Sequence, residues 1–222
     1  VIPRRPAAII FDMDGLLLDT ERISRASMID VVREMGFAMT EADFAPLIGT
    51  PADEDRRTLA AVFGPDFDYD QMRQRQRDRN SRDYGLARPL RPGARQMLDT
   101  VAALAIPAAI ATSSMREKTL SHLAHSGLIE AFDHTLTRDD VLHGKPHPDL
   151  YAAAAAALGF APADCLALED SHNGVRAAVA AGVPVIMVPD LLPATPEMRQ
   201  SCLAIADDLS VVAGWLRAAD QA

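Results

Sequence analysis

The chain is poor in lysine. It has two, Lys118 and Lys145, among 22 basic residues. Arginine therefore serves almost wherever positive charge is needed, and Lys145, in a loop of prolines and histidines, invites inspection. Cysteine is equally scarce. Cys165 and Cys202 are the only two, too few for a disulfide framework, and nothing in their setting suggests an oxidising compartment. Cys165 lies in an apolar run and reads as a small core residue. Positive charge is deficient overall. The net charge of −9 argues against general nucleic-acid binding, because a phosphate backbone demands a cationic footprint. An anionic substrate would have to be drawn in by a local positive field. Long apolar runs are missing too: no stretch is long enough to span a bilayer. The N-terminal "VIPRRPAAII" has no signal-peptide pattern, since its apolar run ends in "DMD". These absences lead to the expectation of a cytoplasmic protein with no membrane partner, monomeric by default.

What remains is an ordinary globular composition, 49% apolar and 24% charged over 222 residues. That is enough chain for one large or two small domains with a substantial core. Short apolar runs ending in polar residues read as buried parallel strands at 7–12, 106–112, 165–170 and 183–188, with a short fifth at 203–205. Helical spacing intervenes. Ala94, Met97, Leu98, Val101 and Leu104 form one stripe after Pro92-Gly93. Leu120, Leu123 and Ala124 precede Gly127, a C-terminal cap signal. "YAAAAAAL" from Tyr151 is a strong helix former ended by Gly159, its small side chains suited to close packing on a sheet. Asn173 to Ala181 is a further helix. The alternation predicts an α/β fold, a parallel sheet with helices on both faces.

Residues from about Thr20 to Leu90 break that alternation and read as all helical. Met28, Val31, Val32 and Met35 form a stripe closed by Gly36. Thr50 and Pro51 have the character of a helix start, with Asp53 and Glu54 in its first turn. A third helix is expected around 69–84. The division is then a core domain from 1–19 and 91–222 and a helical insert at 20–90, with connections near Asp19–Glu21 and Arg88–Pro92.

In open α/β sheets, ligands bind beyond the carboxyl ends of the strands. Those ends collect a particular set of residues. The first strand delivers Asp12 and Asp14, two carboxylates one residue apart that would share a strand face and repel unless a cation lies beside them. The next delivers Thr112, Ser113 and Ser114. The loop "HGKPHPD" delivers Lys145, and another strand delivers Glu169 and Asp170. Oxygen-only acids suit a hard cation such as Mg²⁺. Hydroxyls and an ammonium suit an anion rich in acceptor oxygens. Together they describe a phosphoryl-transfer site. The bland readings are turns and caps: Thr112 to Ser114 could simply cap a helix beginning near Met115. His143 and His147 stand at i, i+4 around Lys145, but Gly144 and Pro146 oppose the helix a metal pair would require. They are expected to shape the loop, with His147 near Asp170. The arginine-rich run 73–82 reads as a solvated helix face, or else as a source of one or two substrate contacts.

"FDMDGLLLDTE", "ATSS", "GKPHPD" and "ALEDS" resemble, in order, the four motifs of the haloacid dehalogenase superfamily. The helical insert is similar to the cap of its subfamily of β-phosphoglucomutases and sugar-phosphate phosphatases. The resemblance implies a Rossmann-like core with an inserted α-helical cap domain, Mg²⁺ as cofactor, and a small phosphorylated metabolite as partner. It also implies roles. Asp12 would be the nucleophile, forming an aspartyl-phosphate, and Asp14 the general acid and base, its backbone carbonyl a metal ligand. Thr112, Ser113 and Ser114 would hold the phosphoryl oxygens. Lys145 would neutralise Asp12 and the phosphoryl group. Asp12, Asp14, Glu169 and Asp170 would serve the metal, Glu169 directly or through its waters.

Within the superfamily, Asp14 argues against a dehalogenase, which uses only the first aspartate. The absence of lysine from 20–90 argues against a phosphonatase, which needs one there for a Schiff base. A β-phosphoglucomutase would carry a histidine and an arginine where this chain has Ser24 and Ala52. Hydrolysis of a small phosphate monoester, a sugar phosphate or a nucleoside monophosphate, is the expected reaction. A phosphosugar mutase is the second reading, and a non-catalytic phosphate-binding relative a third.

Overall fold

The structure is a computed structural model describing residues 2–48, 52–84 and 87–221. The chain divides into two compact units, Val1–Asp19 with Ala87–Ala222, and Thr20–Leu86. The larger unit resumes at Ala87 rather than at 91. Backbone pairing explains this: Asp19 N–H donates to Pro89 O (2.8 Å), Arg91 N–H to Leu17 O (2.9 Å), and Leu18 bridges Leu90. Among the described residues no helix is long and apolar enough to cross a membrane.

The smaller unit contains helices α1 (Thr20–Glu34), α2 (Glu41–Phe44), α3 (Ala52–Phe63) and α4 (Tyr69–Tyr84). Thr50 and Pro51, expected to open α3, lie outside the described residues. The predicted stripe packs as expected, with Met28, Val31 and Val32 buried on α1, against which α4 lies. Gln76 on α4 is buried, donating to Ser24 O (2.8 Å) and accepting from Arg73 (2.8 Å). Arg79 lies against Glu34 (2.7 Å) and Asp30 (3.3 Å) of α1. The basic run is thus partly structural, its arginines spread around the helix axis with Arg75 and Arg77 exposed.

The larger unit begins with β1 (Ala8–Phe11) and continues, after the insert, through α5 (Ala94–Ala103), β2 (Ala108–Ala111), α6 (Arg116–His125) and β3 (His134–Leu136). It ends with α7 (Asp149–Leu158), β4 (Cys165–Glu169), α8 (His172–Ala180), β5 (Val185–Met187), α9 (Pro196–Ser201), β6 (Ala204–Ile205) and α10 (Leu209–Asp220). The strands form one parallel sheet in the order β3-β2-β1-β4-β5-β6. Strands buried on both faces need no polar alternation, which is why β1 reads simply "AIIF". Its side chains still alternate. Ile9 and Phe11 join a core with α5 and α10, while Ala8 and Ile10 join another with α7 and α8. The alanine-rich α7 packs against β1, β2 and β3, and Gly159 ends it in the left-handed conformation that glycine adopts without strain (φ 79°).

Three elements carry no expectation from the sequence. β3 is three residues long and half-exposed at the sheet edge, too short for a periodic signal. α9 lies between β5 and β6, and α10 follows β6. Both announce themselves locally, by Thr195 capping Met198 N–H (3.2 Å) and Asp208 capping Ser210 N–H (2.7 Å).

Candidate active site

The strand order reverses direction between β1 and β4, so their two connections lead away to opposite sides and leave a crevice. Asp12 leaves β1 into it, with its N–H still donating to Leu168 O on β4 (3.0 Å). The strand stops at Phe11. Asp12 and Asp14 therefore do not share a strand face, and the expectation from strand geometry is corrected. Gly15 turns the chain at φ 86°, and its N–H donates to Leu18 O (2.9 Å). A Cβ there would overlap the Asp170 carboxylate, with Cγ at 2.9 Å. Glycine thus allows the acid after β4 to press against the turn after β1.

The two aspartates take different partners. Lys145 Nζ donates to Asp12 Oδ1 (2.5 Å) and to Glu169 Oε1. Both lysine and glutamate are buried, at 5% and 0% side-chain exposure, so the ammonium depends on these acids rather than on water. Burial alone would lower the Lys145 pKa, but Asp12 and Glu169 outweigh it and the net shift is upward. The same burial pushes Asp12 up to about 8; Lys145 opposes that, while Glu169 and Asp14 add to it.

Glu169 is a hub. Its Oε1 also accepts from Tyr151 Oη (2.7 Å), whose ring lies 5.1 Å from the Lys145 ammonium. Its Oε2 accepts from the N–H groups of Asp170 and Ser171 (3.1 Å each) and from Ser171 Oγ (3.0 Å) at the start of α8. Burial, then the charges of Glu169 and Asp12, raise the Tyr151 pKa well above its ordinary value, so the phenol stays a donor. With both oxygens committed to donors, Glu169 is not placed as a direct metal ligand. Of the two expected roles, this geometry leaves the one through metal-bound water, and the side chain holds Lys145 and the β4–α8 turn. Gly174 makes room for it, since a Cβ there would overlap the carboxylate.

Thr112 is buried at the end of β2, and its Oγ1 accepts from Ser114 N–H (3.1 Å). Ser113 is exposed beside it. Neither caps α6, whose N-cap is Met115 without a side-chain bond; Asp139 instead accepts from Arg116 N–H (2.7 Å). Ser114 Oγ turns the other way and donates to Asp14 Oδ2 (2.6 Å). Lys118 is the residue sequence reasoning passed over. Its Nζ donates to Ser114 Oγ (2.9 Å) and lies 3.4 Å from Asp14 Oδ1. The signal was available: the chain has two lysines, and the fold brings both to the paired aspartates.

The loop carrying Lys145 is braced from below. Arg138 donates to Val141 O (2.8 Å) and Leu142 O (3.3 Å). Asp149 accepts from His143 N–H (3.2 Å) and faces its Nδ1 at 3.2 Å. His147 stacks on His143, ring centroids 5.0 Å apart. The pair shapes the loop.

Three buried acids, Asp12, Glu169 and Asp170, accompany one buried ammonium. Burial chiefly disfavours the Asp12 carboxylate here, and the charges of Glu169 and Asp14 add to it. A hard cation beside Asp12 would relieve it, and oxygen donors are what the site offers. Among the described residues no three His, Cys, Asp or Glu side chains gather closely enough to hold a metal alone. The residues fit a cation that keeps water and takes backbone oxygen besides one or two carboxylates, the habit of Mg²⁺.

Fold and site together define a parallel α/β protein with acids, hydroxyls and a buried ammonium gathered at the reversal of its strand order. Residues 9–188 match the family described as haloacid dehalogenase-like hydrolase. The chain belongs to that family. Among similar proteins, hexitol phosphatase B of Escherichia coli is 32% identical over 200 residues, covering 84% of this chain and 85% of its own. Fructose-1-phosphate phosphatase YqaB of the same organism is 31% identical, covering 83% and 97%. A solved hydrolase of the family from Deinococcus radiodurans, with bound phosphate and sodium, superposes with a TM-score of 0.83 at 28% identity, over 99% of this chain and 98% of that one.

Proposed function

We propose that the protein is a Mg²⁺-dependent phosphatase of small phosphate monoesters, with sugar phosphates as the substrate class. The observation that carries the reading is Asp12, buried at the strand reversal with one oxygen held by Lys145 at 2.5 Å. A carboxylate so fixed is suited to attack phosphorus. In that reading Asp12 Oδ2 forms a bond to phosphorus as the ester P–O bond breaks, and Asp14 gives its proton to the leaving oxygen. Water, losing a proton to Asp14, then attacks phosphorus and releases Asp12 and inorganic phosphate. Lys145 and Thr112, with the N–H groups near Ser113, would hold the phosphoryl oxygens. Mg²⁺, held by Asp12, Asp170 and the Asp14 carbonyl, would supply charge neutralisation at the phosphoryl group.

The sugar-phosphate class is supported by the names of the two E. coli relatives, one a hexitol phosphatase and the other a fructose-1-phosphate phosphatase. The helical unit would act as the cap whose side chains select the substrate. Ser24 and Ala52, where a mutase would carry histidine and arginine, favour hydrolysis over phosphosugar isomerisation.

The test is phosphate release from p-nitrophenyl phosphate and a panel of sugar phosphates and nucleoside monophosphates. Mg²⁺ should be required and EDTA should abolish turnover. Asp12→Asn should reduce kcat by about 10³-fold or more; an Asp12→Asn protein with full turnover would refute the mechanism. Conversion of β-glucose 1-phosphate to the 6-phosphate without net hydrolysis would favour the mutase instead.

A further inference from the structure

Lys118 is unexplained by the roles above. It lies on α6, not on a strand end, and its side chain is 50% exposed, yet it turns toward Asp14 rather than into water. Three polar groups meet there. Ser114 Oγ donates to Asp14 Oδ2 (2.6 Å), Lys118 Nζ donates to Ser114 Oγ (2.9 Å), and the ammonium lies 3.4 Å from Asp14 Oδ1. Both oxygens of the carboxylate therefore face this hydroxyl–ammonium pair.

The frame that carries the pair is held at both ends. Asp139 accepts from Arg116 N–H (2.7 Å) and Asp140 pairs with the Arg116 guanidinium. At the far end, Ser126 Oγ accepts from Arg88 N–H and donates to Arg88 O, each at 3.2 Å. Between them Thr119 and His122 are buried. The backbone of Lys118 is thus fixed, and its four-carbon stem reaches from it to Ser114 and Asp14. The residue type matters. An arginine fork would clamp a carboxylate through two parallel bonds. An ammonium bridging through a serine hydroxyl orients Asp14 and still lets it turn. In a chain whose other cationic side chains are twenty arginines and Lys145, lysine at this place is consistent with that requirement.

We propose that Lys118 and Ser114 are positioning residues for Asp14, aiming its carboxyl group at the leaving-group oxygen. Ser114 is thereby reassigned from holding the phosphoryl group to holding the acid. The inference rests on the phosphatase reading, because it concerns the proton that Asp14 delivers.

The test is the dependence of kcat/KM on the leaving group, because kcat/KM reports formation of the aspartyl-phosphate, whereas the later attack of water uses Asp14 for every substrate. A p-nitrophenolate departs without a proton, whereas an alkoxide does not. General acids contribute about 10²–10⁴-fold. Asp14→Asn should lower kcat/KM for alkyl phosphates far more than for aryl phosphates. Lys118→Met and Ser114→Ala should reproduce that pattern in milder form, with alkyl kcat/KM falling about tenfold or more and aryl kcat/KM about threefold or less. Thermal melts establish that each variant is folded; Ser114→Ala, the smaller change, stands in should Lys118→Met not fold. Equal losses of kcat/KM on both substrate types would overturn the proposal and make Lys118 a substrate contact. A wild-type protein that hydrolyses neither type would overturn the phosphatase reading and this inference with it.

Discussion

Glu169→Gln is a nearly isosteric change that removes charge from the most connected side chain in the site. Glu169 accepts from Lys145 and Tyr151 through one oxygen, and from two backbone N–H groups and Ser171 Oγ through the other. Glutamine must present its NH₂ to one of these sets. Tyr151 and Ser171 can rotate their hydroxyls to accept, but an ammonium and a peptide N–H cannot. Facing the first set, the amide loses the bond from Lys145; facing the second, it strands two N–H groups in the protein interior. Either way Lys145 keeps Asp12 as its sole anionic partner. Leaving a buried donor without its acceptor costs about 1–3 kcal/mol. At about 2–4 °C per kcal/mol for a chain of this size, the melting temperature should fall by about 5 °C. Urea melts in EDTA isolate this effect, because no divalent metal is then bound. If Glu169 served chiefly as a metal ligand, the variant would match wild type in EDTA and lose stability only relative to the Mg²⁺-loaded protein. A difference below about 1 kcal/mol in EDTA would refute the hub argument.

Gly174→Ala should be destabilising although alanine is the better helix former, because its Cβ would overlap the Glu169 carboxylate. The expected cost is about 1–3 kcal/mol in urea melts, with loss of phosphate release as Lys145 shifts. His122 is held neutral in the fold, its pKa lowered to about 4 from 6.5 chiefly by burial, with Lys118, Arg88 and His125 adding to the effect and Asp14 opposing it. A depressed imidazole pKa means that only the unfolded chain binds this proton between pH 6.5 and 4. Its contribution is therefore fully present above about 6.5 and lost as pH falls through that window. Stability profiles of His122→Gln and wild type should diverge there, with the variant losing up to about 3 kcal/mol less; parallel profiles would refute the assignment.

Much of the larger unit was legible because its signals are local. β1, β2, β4 and β5 are short apolar runs ending in polar residues, and parallel strands covered on both faces require that pattern. Gly127 and Gly159 marked helix ends by a conformation other residues resist. β3 escaped because three half-exposed residues at a sheet edge carry no period. Strand-end chemistry was legible for the same reason: Asp12, Thr112, Glu169 and Asp170 sit where chain order puts the carboxyl ends. The pairings were not. That Asp14 turns to Ser114 and Lys118, rather than sharing a face with Asp12, depends on where β1 stops and on a helix about 100 residues away.

The sequence by itself determined an α/β chain with a helical insert, its strand ends bearing acids, hydroxyls and one lysine, and the family to which it belongs. Those properties follow from periodicity, caps and motif order, all read within a few residues of one another. Only the tertiary structure decided how that chemistry is divided. It set Glu169 to hold Lys145, left Asp12 with a single ammonium in a buried site, and brought the second lysine to Asp14. Each of these assignments depends on which side chains meet across the sheet, and on whether water reaches them, and neither property is carried by any one segment of the chain.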